Sequence, residues 1–211
     1  MDIETIVTKQ REFFLSGATL PLSYRLNALK TLQSALIEQT AHLEQALFED
    51  LHKSSHEAYM TEIGLVLEEI RHHIRHLKKW ARSTRVSPSI GQIPAKVRIH
   101  KEPFGVTLIM SPWNYPVLLT LSPLIGALSS GNCAVVKPSA YSESTSNAIQ
   151  ELLTSLFPPE YVYVVQGGRK ANEALLEQSF DYIFFTGSTT VGKIVMASAT
   201  KNLTPITLEL G

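Results

Sequence analysis

From residue 103 onward the chain repeats one unit: a short run that is apolar at nearly every position, followed by a stretch with helical spacing. FGVTLIM, CAVVKP, YVYVV, YIFFT and PITLEL are the five runs, with helices expected between them over about 117–129, 142–156, 171–176 and 191–199. A strand apolar on both sides must be covered on both faces, and strands joined through helices pair in parallel. The pattern therefore restricts this part of the chain to an α/β fold with a Rossmann-like parallel five-stranded sheet. Ligands in such folds sit beyond the carboxyl ends of the strands, and the polar stretches fall there. SPWNYP (111–116) follows the first run, KPSAYS (137–142) the second, GSTTVG (187–192) the fourth, and Glu209 and Gly211 close the fifth.

The stretch FFTGSTTVG (184–192) reads as strand, tight turn and helix. The first N–H groups of a helix lack internal partners and carry the positive end of its dipole, so Gly187, Ser188, Thr189, Thr190, Val191 and Gly192 would present an anion-binding end suited to a phosphate or pyrophosphate. Gly187 would let the backbone approach the ligand, and Ser188 would cap the helix or bond a phosphate oxygen. The same residues also fit an ordinary strand-to-helix turn. Gly187 to Lys193 matches the spacing G-x-x-x-x-G-K of a nucleoside triphosphatase loop, but Ile194 stands where that loop needs Ser or Thr to ligate Mg²⁺.

Ahead of the sheet, residues 3–82 have helical period and are expected to form about four helices. Pro21 and Ser23 start one, and Ser54 and Ser55 break the pattern before Glu57 starts the last. That last helix carries His72, His73 and His76. The i, i+4 pair could hold a metal, but Arg71, Arg75, Lys78 and Lys79 surround it and a solvated face is expected, with no metal. Residues 84–102, punctuated by Pro88, Gly91 and Pro94, read as an extended hairpin arm and a contact between subunits. The organisation expected is thus 1–83 helical, 84–102 arm and 103–211 dinucleotide-binding core.

Lys plus Arg and Asp plus Glu number 19 each, so no general attraction to nucleic acid or an acidic membrane follows. The single cysteine, Cys133, excludes an internal disulfide framework and fits a reducing, cytoplasmic setting. The first 17 residues, MDIETIVTKQREFFLSG, resemble neither a signal peptide nor a membrane span.

Taken in order, SPWNYP (111–116), GNCAVVKPS (131–139), FTGSTTVGK (185–193) and TPITLELG (204–211) resemble the aldehyde dehydrogenase superfamily, most closely its class 3 type acting on fatty and aromatic aldehydes. The resemblance covers nearly the whole chain and implies the amino-terminal, coenzyme-binding half of such an enzyme, with most of the catalytic domain absent. It implies oxidation of an aldehyde to a carboxylic acid through a cysteine thiohemiacetal and thioester, with NAD or NADP as cofactor and a homodimer as the assembly. An acyl-forming or semialdehyde dehydrogenase lies within the same superfamily.

Carried over by resemblance, Asn114 supplies a side-chain N–H to the oxyanion and Glu209 activates water for deacylation. At the end of an apolar strand, Glu209 is expected to be partly desolvated. The resemblance also puts Lys137 and Ser139 at the adenosine ribose, the Trp113 backbone at the nicotinamide side and 187–192 around the pyrophosphate, with Gly211 a further cofactor-binding residue. Two departures stand out. Ala140 replaces a glutamate that accepts from the ribose hydroxyls, which leaves the choice between NAD and NADP open. The family's nucleophilic cysteine lies some tens of residues beyond the glutamate motif, and Cys133, at the start of an apolar strand, does not correspond to it. A chain with this content is expected to be catalytically silent by itself, either as a truncated coenzyme-binding half or as a dinucleotide-binding fragment or partner subunit.

Overall fold

A computed structural model describes residues 2–211. The amino-terminal segment forms α1 (Ile3–Leu15), α2 (Leu22–Glu38), α3 (Thr40–Leu51) and α4 (Ser55–Ala58), which runs through a π-helical turn (Tyr59–Ile63) into α5 (Gly64–Trp80). Asp2 caps α1 by accepting from the Thr5 N–H, and Ser54 caps α4 by accepting from the Glu57 N–H. At the end of the π turn the Gly64 N–H donates to the Tyr59 carbonyl, five residues back. A Cβ at Gly64 would lie 2.8 Å from that same oxygen, so the turn requires glycine there.

The arm is a formed ladder: β1 (Thr84–Val86) pairs antiparallel with β2 (Val97–Ile99), Thr84 opposite Ile99 and Val86 opposite Val97. The remainder alternates as the apolar pattern predicts, through β3 (Val106–Met110), α6 (Pro116–Ser130), β4 (Cys133–Lys137), α7 (Glu143–Leu156), β5 (Val162–Val164), α8 (Arg169–Leu176), β6 (Tyr182–Gly187), α9 (Thr189–Ala199) and β7 (Ile206–Leu210). All neighbours are parallel, in the order β5-β4-β3-β6-β7. Every residue of β3 and β4 is buried, as strands covered on both faces should be. The chain steps outward from β3 to β5 and then returns to the other side of β3, so the order reverses between β3 and β6. A crevice opens at such a reversal, here between the loop after β3 and the loop after β6.

Helices α2 and α5 pack on α6, and α3 packs on α7, extending one hydrophobic core from the sheet into the amino-terminal helices. Near the amino ends of the strands, Arg11 on α1 pairs with Asp181 at 3.0 Å, and the same carboxylate accepts from the Val106 N–H at 2.7 Å. Gly105 sits against it at φ +141°, where a Cβ would come within 2.2 Å of Asp181 Oδ2.

Two local expectations are corrected. Helix α9 starts at Thr189, not 191, so Thr189 and Thr190 lie in its first turn. His73 does not share the solvated face: it turns toward α6, with Nδ1 2.8 Å from Ser129 Oγ and Nε2 3.1 Å from Glu69 Oε1. His72 and His76 do stack, with ring centres 4.3 Å apart. Among the described residues no helix is long and apolar enough to cross a membrane.

Candidate active site

The first residues of interest sit on the turn between β3 and α6. Trp113, Asn114 and Tyr115 are exposed there, and Pro116 opens α6 with its fixed φ. Tyr115 offers no side-chain cap to this helix. Its N-terminal N–H groups are satisfied from elsewhere: Glu62 Oε2, at the π turn, accepts from the Val117 N–H at 2.8 Å and the Leu118 N–H at 3.2 Å. The next helix is treated alike, because Asp50 on α3 accepts from the Ser144 and Thr145 N–H groups at 3.1 and 2.7 Å. Two of the helices that follow strands therefore have carboxylates already seated on their positive ends, which leaves them poor hosts for a phosphate.

Helix α9 differs. Its N-cap is Ser188, whose Oγ accepts from the Val191 N–H at 3.4 Å, and Ser188, Thr189, Thr190 and Val191 are all exposed. The end of α9 is thus capped from within and open to solvent, the condition an anion site needs. The two glycines of this turn have packing reasons that the sequence did not reveal. A Cβ on Gly187 would stand 2.6 Å from Phe185 Cζ, and one on Gly192 would stand 2.7 Å from Leu210 Cδ2. Gly187 pairs with Leu210, and the Gly211 N–H donates to the Gly187 carbonyl at 3.4 Å, so the ends of β6 and β7 arrive together.

A cleft of about 730 Å³ lies at the strand-order reversal, bordered by Trp113, Asn114, Gly187, Ser188, Glu209 and Gly211. The sequence-predicted oxyanion donor and water-activating acid thus border one space. Glu209 is exposed on the edge strand, so the partial desolvation expected of it is not provided by this chain's own packing. A second cavity of about 580 Å³ is bordered by Lys137, Ser139, Ala140, Val191 and Ile194 and by Gly168, Arg169 and Asn172. Of the predicted cofactor residues, Trp113, Gly187, Ser188 and Gly211 border the first space and Lys137, Ser139 and Val191 the second, while Thr189 and Thr190, in the first turn of α9, border neither. Gly192 is buried behind them.

Lys137 ends β4, almost fully buried, and its Nζ donates to the Pro138 carbonyl at 2.6 Å. Burial away from water disfavours its charged form and lowers its pKa from 10.5 to about 8. It is thus a cation with hydrogen-bonding capacity left over at neutral pH. Ser139 Oγ accepts from the Tyr141 N–H at 3.2 Å, shaping the turn under Ala140. Cys133, at the opposite end of β4, is completely buried, and burial pushes its thiol up to about 12. It is not an accessible thiolate.

Sequence reasoning missed Glu62, Lys53 and Asp50. Glu62 had a legible sign, since it falls at i−4 from Val66 and i−8 from Ile70, on the buried stripe of its helix. A carboxylate on an apolar stripe must find buried partners.

Comparison with known proteins agrees with this arrangement. The model of the aldehyde dehydrogenase family matches residues 1–211. Bovine aldehyde dehydrogenase family 3 member B1 is 47% identical over 201 residues, which are 95% of this chain and 43% of that protein. A substrate-bound structure of Staphylococcus aureus AldH superposes with a TM-score of 0.98 at 39% identity, over 100% of this chain and 46% of the other. A variant of S. aureus betaine aldehyde dehydrogenase in complex with NAD⁺ gives a TM-score of 0.90 at 26% identity, over 100% of this chain and 42% of that one. The chain spans less than half the length of these relatives and matches their amino-terminal half. With a family match along its whole length and this fold, the chain belongs to the aldehyde dehydrogenase family.

Proposed function

We propose that the chain forms the coenzyme-binding half of an NAD(P)-dependent aldehyde dehydrogenase, holding NAD or NADP and supplying Asn114 and Glu209 to the oxidation of an aldehyde to a carboxylic acid. The observation that carries this reading is the convergence of Asn114, Glu209 and the open end of α9 on one cleft. The cradle suits a dinucleotide. Exposed N–H groups at Ser188 to Thr190 would hold the pyrophosphate, Lys137 and Ser139 the adenosine ribose, and the turn at Trp113 the nicotinamide side. Bound cofactor would supply the hydride acceptor. Asn114 would donate its amide N–H to the carbonyl oxygen as a thiolate adds and negative charge develops there, and a fixed donor of this kind lowers a barrier by about 3–4 kcal/mol. Glu209 would take a proton from water so that hydroxide attacks the thioester, releasing the carboxylic acid and the thiol.

For the 211-residue chain alone, the buried position of its one cysteine favours a second reading, a dinucleotide-holding unit without turnover. The single buried cysteine also supports a reducing, cytoplasmic setting, and the β1–β2 arm supports pairing with a second copy. Calorimetric titration of the purified chain with NAD⁺ and NADP⁺ tests the first part: saturable binding weakened at least tenfold by Gly187→Val is expected, and no binding of either would sink it. Aldehyde-dependent NADH or NADPH formation by this chain, abolished by Cys133→Ala, would overturn both the silent reading and the assignment of the thiol.

A further inference from the structure

We propose that Lys53 and Glu62 are positioning residues for Asn114: a buried ion pair, carried by the segment ahead of the sheet with Lys53 between α3 and α4 and Glu62 on the π turn, fixes the turn that presents the oxyanion donor. The proposal rests on the reading of Asn114 given above.

Lys53 Nζ lies 2.6 Å from Glu62 Oε1, donates to the Asn114 carbonyl at 3.0 Å and stands 4.0 Å from the centre of the Tyr115 ring. The other carboxylate oxygen of Glu62 accepts the Val117 and Leu118 N–H groups. The Glu62 side chain is fully buried and that of Lys53 is 10% exposed. One ion pair thus grips the chain on both sides of Pro116, by a carbonyl before it and two N–H groups after it.

A helix N-terminus needs no such device for stability alone. A Ser, Thr, Asp or Asn at position 115 could cap the helix locally by accepting from the Val117 or the Leu118 N–H, and a buried ion pair is weak evidence of stabilisation. What a local cap could not do is hold the Asn114 carbonyl. Fixing that oxygen fixes the peptide plane between Asn114 and Tyr115, and with it the direction in which the Asn114 side chain leaves the backbone. A donor displaced by about 1 Å from a developing charge can lose on the order of 10²-fold in rate, so this aim matters to chemistry more than to folding. Asp50 provides the internal contrast: it caps α7 with two bonds of the same kind, while nothing links it to Asn114.

The test uses the 211-residue chain and the side-chain amide signal of Asn114 in a ¹H–¹⁵N spectrum, assigned by its loss in Asn114→Asp. Lys53→Met combined with Glu62→Met removes both charges together and leaves apolar side chains of similar length, so no unpaired charge stays buried. The expected result is a shifted or broadened Asn114 signal with the Gly192 backbone amide unmoved, and a lower melting temperature, since the Val117 and Leu118 N–H groups lose their acceptor. Asp50→Asn should lower the melting temperature without moving the Asn114 signal. If the double variant does not fold, Glu62→Gln, which keeps an acceptor oxygen but breaks the ion pair, is read in the same way. An unmoved Asn114 signal in the folded variant, or an equal shift in Asp50→Asn, overturns the proposal.

A kinetic arm uses an active aldehyde dehydrogenase containing this chain. There the double variant should lower kcat about tenfold or more with the cofactor KM within about twofold, and should add little to the loss from Asn114→Ala. Fully additive losses would overturn the positioning role. If Asn114→Ala leaves turnover intact, the oxyanion reading fails while the amide signal still decides whether the ion pair holds the turn.

Discussion

Asn114 stands on a turn whose backbone is bonded to a buried ion pair, whereas Glu209, bordering the same cleft, is carried by the ladder of an edge strand and is exposed. The two residues sit at the ends of strands on opposite sides of the strand-order reversal, but only one of them is braced by a second layer. A group that meets a developing charge directly gains from being fixed in advance. A base that acts through water must exchange its proton with that water, and exposure on a strand end serves it.

The sharpest way to break this contrast is to remove a support from each side. Glu62→Ala leaves Lys53 charged and buried without its partner and two N–H groups of α6 without an acceptor, and should cost about 3–5 kcal/mol in urea unfolding. Glu209→Ala should stay within about 0.5 kcal/mol of the parent, as an exposed strand position does. Equal losses from the two would erase the distinction.

A smaller effect examines the exposed side by itself. Gly187→Ala should cost about 1–3 kcal/mol, because its methyl group meets the Phe185 ring, which is 6% exposed and set in the core. Gly192→Ala should cost less, since the atom it meets is the terminal methyl of Leu210, which is 44% exposed and free to swing away. Calorimetric melting of both variants gives the order. A reversed order would mean that the end of β7 is stiffer than its exposure indicates.

The second cavity repeats the contrast in miniature, with Lys137 locked and Ala140 open. Ala140→Glu should shift the ratio of NAD to NADP affinity toward NAD by about tenfold, or 1.4 kcal/mol, and a shift within about twofold would refute the role given to this position. The smallest effect is that of pH. Lys137 in the folded chain releases its proton near pH 8, so dinucleotide affinity should fall as pH rises through that value, and calorimetric titrations on either side would show it. Stability moves the other way. Unfolded lysine keeps its proton up to about 10.5, so between the two values the unfolded state binds more protons and unfolding becomes harder as pH rises. A flat affinity across pH 8 would place the lysine outside the site.

Much of this arrangement was legible along the chain. The five apolar runs marked five strands, and SPWNYP, KPSAYS, GSTTVG and Glu209 were placed at their carboxyl ends because period and turn chemistry are local signals. Contacts made at a distance were not legible. Nothing near Gly192 announces that Leu210 packs against it, and nothing near Pro116 announces that its helix is capped from 55 residues away. The inward turn of His73 depends on Ser129 in another helix, so a charged neighbourhood in sequence misplaced it on the solvated face. The exposure of Glu209 follows from β7 lying at the edge of the sheet, and strand order is set by long-range pairing that an apolar run does not encode.

The π turn between α4 and α5 is a place where the chain holds one residue in excess. A helix that closes a bond over five residues carries one residue more than its α-helical path would need. Deleting Tyr59 or Met60 would let the chain run on as α-helix with the flanking helices near their present register, and the wide turn that carries Glu62 and requires Gly64 would be lost. Tyr59 and Met60 are 41% and 59% exposed, so substitution at either is cheap. At Tyr59 and Met60 this stretch should accept changes of spelling, and the loss of one residue there should cost the wide turn rather than the register of the flanking helices.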